Sequence, residues 1–133
     1  MTTKGFSLAK IQVQDIDAAE RFYVEALGLE VTGRVTNGEG EQLMLERILT
    51  VPGSPRGATS FILISYPNTP CPAPGEATMG FMVETLEAAI EKATAAGASV
   101  DVPPVDMPEY SLRLAFLRDP QGHRIELLQS TKG

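Results

Sequence analysis

Apolar and polar residues first alternate along this chain with a period of two. Ala9, Ile11 and Val13 interleave with Lys10, Gln12 and Gln14, which predicts a strand with one buried face, because successive strand side chains point to opposite sides. From Ile16 the spacing changes: Ile16, Ala19, Tyr23, Ala26 and Leu27 recur at steps of three and four. That is the period of an amphipathic helix. Asp15 stands where a carboxylate accepts from the open N–H groups of a first turn, and Gly28 where a left-handed residue ends a last one. A short extended element follows around Glu30–Val35, then two apolar runs, Gln42–Thr50 and Ser60–Ser65, separated by the Pro/Gly loop Val51–Gly57.

The same order begins again about 70 residues later. Val13-Gln14-Asp15-Ile16-Asp17-Ala18-Ala19, leading to Gly28 and Val31, has its counterpart in Val83-Glu84-Thr85-Leu86-Glu87-Ala88-Ala89, leading to Gly97 and Val100. Met79, Phe81 and Val83 alternate, and Leu86, Ala89, Ile90, Ala93 and Ala96 lie along one helical face between Thr85 and Gly97. A short element at Ser99–Val102 and strands at Ser111–Leu117 and Arg124–Gln129 complete the copy, the last two joined by the turn Asp119-Pro120-Gln121-Gly122. Each half therefore reads as strand, helix and three strands. Between them lies Pro67–Gly75 with four prolines, which cannot continue a sheet. The expectation is an α+β chain: one domain over residues 1–133, with module one at about 6–66, a linker at about 67–76 and module two at about 77–130.

Composition narrows the function. With 133 residues, 43% apolar and 21% charged, the chain can bury a core but is short for two full domains. Its net charge of −6 would repel a phosphate backbone, so no nucleic acid and no anionic membrane is expected as partner. A single cysteine, Cys71, forms no internal disulfide and asks for no oxidising compartment. The segment MTTKGFSLAK has no apolar stretch of signal-peptide kind. A cytoplasmic protein is expected.

A helix covers one face of each sheet, and the other face must carry the chemistry. With the most regular apolar set of each strand assigned to the helix, the opposite face collects Leu8, Lys10 and Gln12; Phe61, Leu63 and Ser65; Thr78, Gly80 and Met82; and Arg124, Glu126 and Leu128. That mixture suits a pocket lined by hydrophobes with a few oriented polar groups.

The sequence resembles the vicinal oxygen chelate superfamily, which includes glyoxalase I, extradiol dioxygenases, fosfomycin-modifying enzymes and bleomycin resistance proteins. The resemblance is carried by Ile11-Gln12-Val13-Gln14-Asp15, Arg21-Phe22-Tyr23, Ala26-Leu27-Gly28-Leu29, Gly80-Phe81-Met82-Val83 and Phe116–Leu127, with its Asp-Pro-Gln-Gly turn and Ile125-Glu126-Leu127. It implies two tandem βαβββ modules of glyoxalase-like fold, whose curved mixed sheets surround a shared cavity. Metal-dependent relatives place ligands at the start of a module's first strand and at a late glutamate. Those positions here are Leu8, Thr78, a fourth-strand position read as Leu63, and Glu126. Only Glu126 is a donor, whereas divalent transition metals usually require three or four.

The expected function is therefore a metal-independent protein, without cofactor, that holds a small hydrophobic or aromatic molecule in a cavity between its sheets. Leu8, Lys10, Gln12, Leu63, Thr78, Met82 and Glu126 are the candidate ligand-binding residues. Glu126 is also the candidate catalytic carboxylate, with Lys10 as its counter-charge: unpaired it can act as a general base, and paired it orients a ligand. The alternative is a metal-dependent lyase or dioxygenase that recruits donors from a partner chain or from residues such as Glu46 or His123. A third reading is an interaction module with a filled pocket and an exposed apolar patch. Open sheet edges, which need covering, favour a homodimer. Phe22 and Tyr23 are expected in the core, and His123 beside its turn.

Overall fold

A computed structural model of the protein describes residues 2–132; Met1 and Gly133, the ends of the expected single domain, lie outside the described residues. The elements follow the sequence pattern closely. The first unit contains β1 (Leu8–Gln12), α1 (Ile16–Leu27), β2 (Glu30–Asn37), β3 (Met44–Thr50) and β4 (Ser60–Ser65). The second contains β5 (Thr78–Met82), α2 (Leu86–Ala95), β6 (Ser99–Met107), β7 (Leu112–Arg118) and β8 (Arg124–Ser130). Short 3-10 turns at Gly40–Gln42 and Pro108–Tyr110 lead into β3 and β7. Neither helix is long and apolar enough to cross a membrane.

The contacts separate two compact units, one holding most of the chain up to Pro72 and the other the chain from Ala73 onward together with Glu25–Leu27. The division falls within the proline-rich segment. Each unit has one mixed four-stranded sheet, in the orders β1-β4-β3-β2 and β5-β8-β7-β6. In each, the strand before the helix runs parallel to the last strand, and the remaining neighbours are antiparallel. A helical crossover is what a parallel pairing requires, whereas short turns suffice for the antiparallel ones.

Local chemistry explains the helix ends. Asp15 Oδ1 accepts from the Ala18 N–H at 3.0 Å, and Gly28, at φ 68°, takes the left-handed conformation while its N–H donates to the Val24 carbonyl at 3.0 Å. Thr85 makes no such side-chain cap. Instead Gln129 Oε1, reaching from β8, accepts from the Leu86 N–H at 2.8 Å.

Both helices lie on one side of their sheet. In the first unit Ile11, Val13, Tyr23, Leu49 and Leu63 are buried, and Tyr23 meets Phe61 edge to face with ring centroids 5.0 Å apart. Phe22 and Tyr23 are thus core residues, as their helical spacing suggests. In the second, Leu86, Ala93, Ala115, Leu117, Ile125 and Leu127 are fully buried. An arginine of the third strand ties each helix to its sheet. Arg47 binds Glu20 at 2.7 Å and Asp17 at 3.0 Å; Arg113 binds Glu87 at 2.7 Å and Asp106 at 3.0 Å. The hydrogen bonds from Arg113 hold the Glu87 carboxyl below the usual carboxylate range, and Glu87 with Asp106 raises the Arg113 guanidinium in turn.

One element outruns its expected length. The strand β6 continues past Val102 through Pro103 and Pro104 to Met107, with register shifts on both sides of Val102. Prolines lack the N–H of a ladder bond, but β6 is an edge strand, where the missing donor is tolerated.

Candidate functional site

The second sheet assembles the face anticipated for it. Thr78, Gly80 and Met82 on β5 stand in register with Arg124, Glu126 and Leu128 on β8, and on β7 Phe116 and Arg118 stand opposite Glu126 and Arg124. Paired positions share a face, and Ile125 and Leu127 between them are buried toward α2. Glu126, Thr78 and Met82 therefore lie together on the side away from the helix. Glu126 is half-buried, and Met82 is 63% exposed. Gly80, next to Glu126, presents no side chain; a Cβ there would meet nothing nearer than Leu128 Cδ1 at 3.7 Å. An apolar strip, Met82, Leu128 and Phe116, thus surrounds one carboxylate.

At the end of this strip the guanidinium of Arg124 lies over the Phe116 ring, 4.0 Å from its centroid. Arg118 Nη2 is 3.3 Å from Asp101 Oδ2, and Arg124 Nε is 3.9 Å from the same oxygen. Neither Asp101 nor Arg118 stands out in the sequence. Asp101 lies at the first β6 irregularity, which only the register reveals.

The first sheet departs from expectation at two points. Leu8, Lys10 and Gln12 do lie on the face away from α1, but Leu63 does not: it stands in register with Ile11 and is fully buried beneath the helix. Phe61 and Ser65 share its side, and the helix-free face of β4 consists of Ser60, Ile62 and Ile64. The fourth-strand position matching Glu126 is thus Ile62, because Lys10 pairs with Ile62 as Gly80 pairs with Glu126.

The second point is the partner of Lys10. Its ammonium forms an ion pair with Glu46 Oε2 on β3 rather than with Glu126, the expected counter-charge. Glu46 is 8% exposed. Its position opposite Ile64, which pairs with Gln12, brings it one diagonal step from Lys10 across β4. Oε2 has no partner of hydrogen-bond geometry among the described residues, so the ammonium charge is what offsets its burial. The sequence hints at this pair only through parity; the order β1-β4-β3 brings the two residues together.

His123 stays with its turn. Its Nδ1 lies 2.8 Å from Asp119 Oδ2, and Asp119 Oδ1 accepts from the N–H groups of Gln121, Gly122 and His123 at 2.8 to 3.0 Å. Gly122, at φ 110°, supplies the positive φ this turn needs. Both side chains are buried, and their geometry is that of a locked hairpin.

The donor set implied by metal-dependent relatives does not fit a metal here. Leu8 and Ile62 have no donor atom, Thr78 has only a hydroxyl, and Glu126 is a single carboxylate. Among the described residues no group of three His, Cys, Asp or Glu side chains could hold a metal ion.

Comparison with known proteins agrees with the fold. Among solved structures, a glyoxalase family protein from Bacillus cereus is 24% identical with a TM-score of 0.82, the match covering 99% of this chain and 97% of that one. A glyoxalase/bleomycin resistance protein from Albidiferax ferrireducens is 26% identical, with a TM-score of 0.68 and coverage of 93% and 97%. A glyoxalase I mutant from Zea mays is 16% identical, with a TM-score of 0.76 over 92% of this chain and 45% of that longer one. No curated protein matches the sequence. The family model described as Glyoxalase/Bleomycin resistance protein/Dioxygenase superfamily matches residues 5–127. With its two βαβββ units and a match over nearly its whole length, the chain belongs to that superfamily.

Proposed function

We propose that this protein is a glyoxalase-like binding protein that holds a hydrophobic or aromatic small molecule without a metal ion. The observation that carries the reading is the composition of the helix-free face of the second sheet. Met82, Leu128 and Phe116 offer apolar and aromatic contact, Gly80 leaves room beside them, and Glu126 and Thr78 supply polar groups within the same strip. On the first sheet, taken by itself, Leu8, Lys10 and Gln12 line the helix-free face. Three of the four positions where a metal-dependent relative would place a ligand lack a carboxylate, imidazole or thiolate.

In this reading Glu126 accepts a hydrogen bond or a proton from the bound molecule. Apolar Leu128 and Phe116 flank Glu126, and Thr78 and the cationic Arg124 share its face. The protein acts in the cytoplasm as a homodimer whose partner covers open sheet edges.

Titration of toluene, indole and naphthalene derivatives by calorimetry, with and without chelator, tests the proposal. Binding with one affinity in both conditions is expected, weakened by Met82→Ser. Binding that disappears with chelator, or stoichiometric Zn, Ni, Mn or Fe in protein purified without an affinity tag, overturns it. Sedimentation that gives a monomer at micromolar concentration removes the homodimer.

A further inference from the structure

We infer that Arg118 and Arg124 form a carboxylate-binding subsite at one end of the helix-free face of the second sheet, and that the ligand is a monocarboxylate with an apolar body. This rests on the proposed ligand-binding reading and names the chemical class of the ligand.

The geometry begins with an unfavourable placement. Arg118 on β7 and Arg124 on β8 are direct cross-strand partners, which sets their Cβ atoms roughly 5 Å apart on one face, and like charges so placed repel. A single carboxylate, Asp101, stands between them, at 3.3 Å from one guanidinium and 3.9 Å from the other. One negative charge faces two positive ones. Among the described residues Asp101 is the one carboxylate in contact with both, so one guanidinium charge is left without a contacting counter-ion, a place for a monoanion.

The second observation is an unsatisfied donor. Arg124 Nε is buried and has no hydrogen-bond partner among the described residues, although a guanidinium has five N–H groups and buried ones are normally paired. The group is held by its stacking on Phe116 rather than by acceptors. Its side chain is 37% exposed, so its outer edge is reachable. A planar fork with uncommitted N–H groups matches a carboxylate in two-point contact.

The rest of the strip decides what the carboxylate is attached to. From Arg124 the face continues through Glu126 to Leu128, with Gly80 and Met82 alongside and Phe116 opposite. Glu126 lies two residues from Arg124 on the same strand, about 7 Å along it. There it repels a second anionic group, so the charged end belongs at the arginines and the apolar body over Gly80, Leu128 and Phe116. In the sequence the two arginines only flank the Asp119–His123 turn; the hairpin brings them face to face.

Calorimetric titration with benzoate, benzyl alcohol and phenyl phosphate separates the outcomes. Benzoate is expected to bind tightest, with Arg124→Gln or Arg118→Gln weakening it by about tenfold or more, as loss of a charge-assisted contact does, while benzyl alcohol changes little. Arg124→Lys restores part of the loss. Asp101→Asn, by removing the competing carboxylate, tightens benzoate several-fold; a purely structural ion pair would yield no such gain. That variant carries the test should Arg124→Gln fail to fold. If benzyl alcohol binds as well as benzoate and the arginine variants bind both normally, the subsite falls and the ligand-binding reading stands. Phenyl phosphate binding tighter than benzoate overturns the monocarboxylate assignment. If no probe of either kind binds, both readings fall.

Discussion

The two units share a plan on one side of their sheets and differ on the other. Beneath the helices the arrangement is nearly repeated: Ile11 with Leu63 in the first unit corresponds to Phe81 with Leu127 in the second, and an arginine of the third strand ties each helix to its sheet. On the helix-free faces the correspondence fails. The first sheet has a Lys10–Glu46 pair beside Ile62 and Ile64, self-neutralised and partly buried. At the matching register positions the second has Gly80 and Leu114, and its charges lie elsewhere: two arginines sharing one aspartate, and Glu126 within an apolar strip. The helix side must fill a fixed volume in both units, because close-packed interiors tolerate little change. The opposite sides differ in their charges and apolar residues, and the proposed site lies there, where the halves disagree.

The largest effect tests the shared side. Leu63→Ala and Leu127→Ala, at matched and fully buried positions, are expected to cost about 2–5 kcal/mol each, measured by urea denaturation. If Leu63→Ala instead costs almost nothing and alters ligand affinity, the parity assigned to β4 is wrong.

A smaller effect sharpens the difference between the open faces. Lys10→Met leaves Glu46 buried without its counter-charge and should destabilise by about 1–3 kcal/mol, less than a fully buried pair because the lysine is half-exposed. Adding Glu46→Leu should return most of that loss. A double variant no more stable than Lys10→Met alone would show that Glu46 is held by something other than this ammonium.

The helix starts offer the third test. Asp15→Ala removes a cap hydrogen bond and should cost about 1 kcal/mol. Thr85→Ala, which removes none, should leave the thermal midpoint nearly unchanged, and Gln129→Ala should reproduce the loss of the Asp15 variant by freeing the Leu86 N–H. Equal losses from Asp15→Ala and Thr85→Ala would erase this distinction between the units.

The smallest effect is one of pH. Folding lowers the Glu87 carboxyl through its bonds with Arg113, so the stability it contributes is complete above its unfolded pKa of about 4.3 and is lost as pH falls through the lower folded value. Acid titration of stability should therefore be shallower in Arg113→Met than in the wild type below about pH 4.3. Parallel curves would mean that the exposed pair contributes nothing measurable, as many surface pairs do.

The fold is largely legible in the sequence because its signals are local. Period two turning into period 3.6, Asp15 and Gly28 at the ends of one helix, and the Asp119–Gly122 turn each act within a few residues. The face of β5 and β8 is legible for the same reason: Met79 and Phe81 alternate with Thr78 and Gly80, and Ile125 and Leu127 with Arg124 and Glu126. The strand β4 is not. Phe61-Ile62-Leu63-Ile64 is apolar at every position, so the run has no parity of its own, and pattern alone puts Leu63 on the wrong side.

What the sequence determined by itself was thus the order of elements, their duplication and the single late carboxylate, all properties of residues close together in the chain. Tertiary structure decided which residues meet across strands: that Ile62 and not Leu63 matches Glu126, that Lys10 pairs with Glu46 across an intervening strand, and that Arg118 and Arg124 share Asp101. Side-chain alternation assigns a residue to a face, but its neighbours on that face come from other strands, and their register is set by long-range pairing that no local pattern contains.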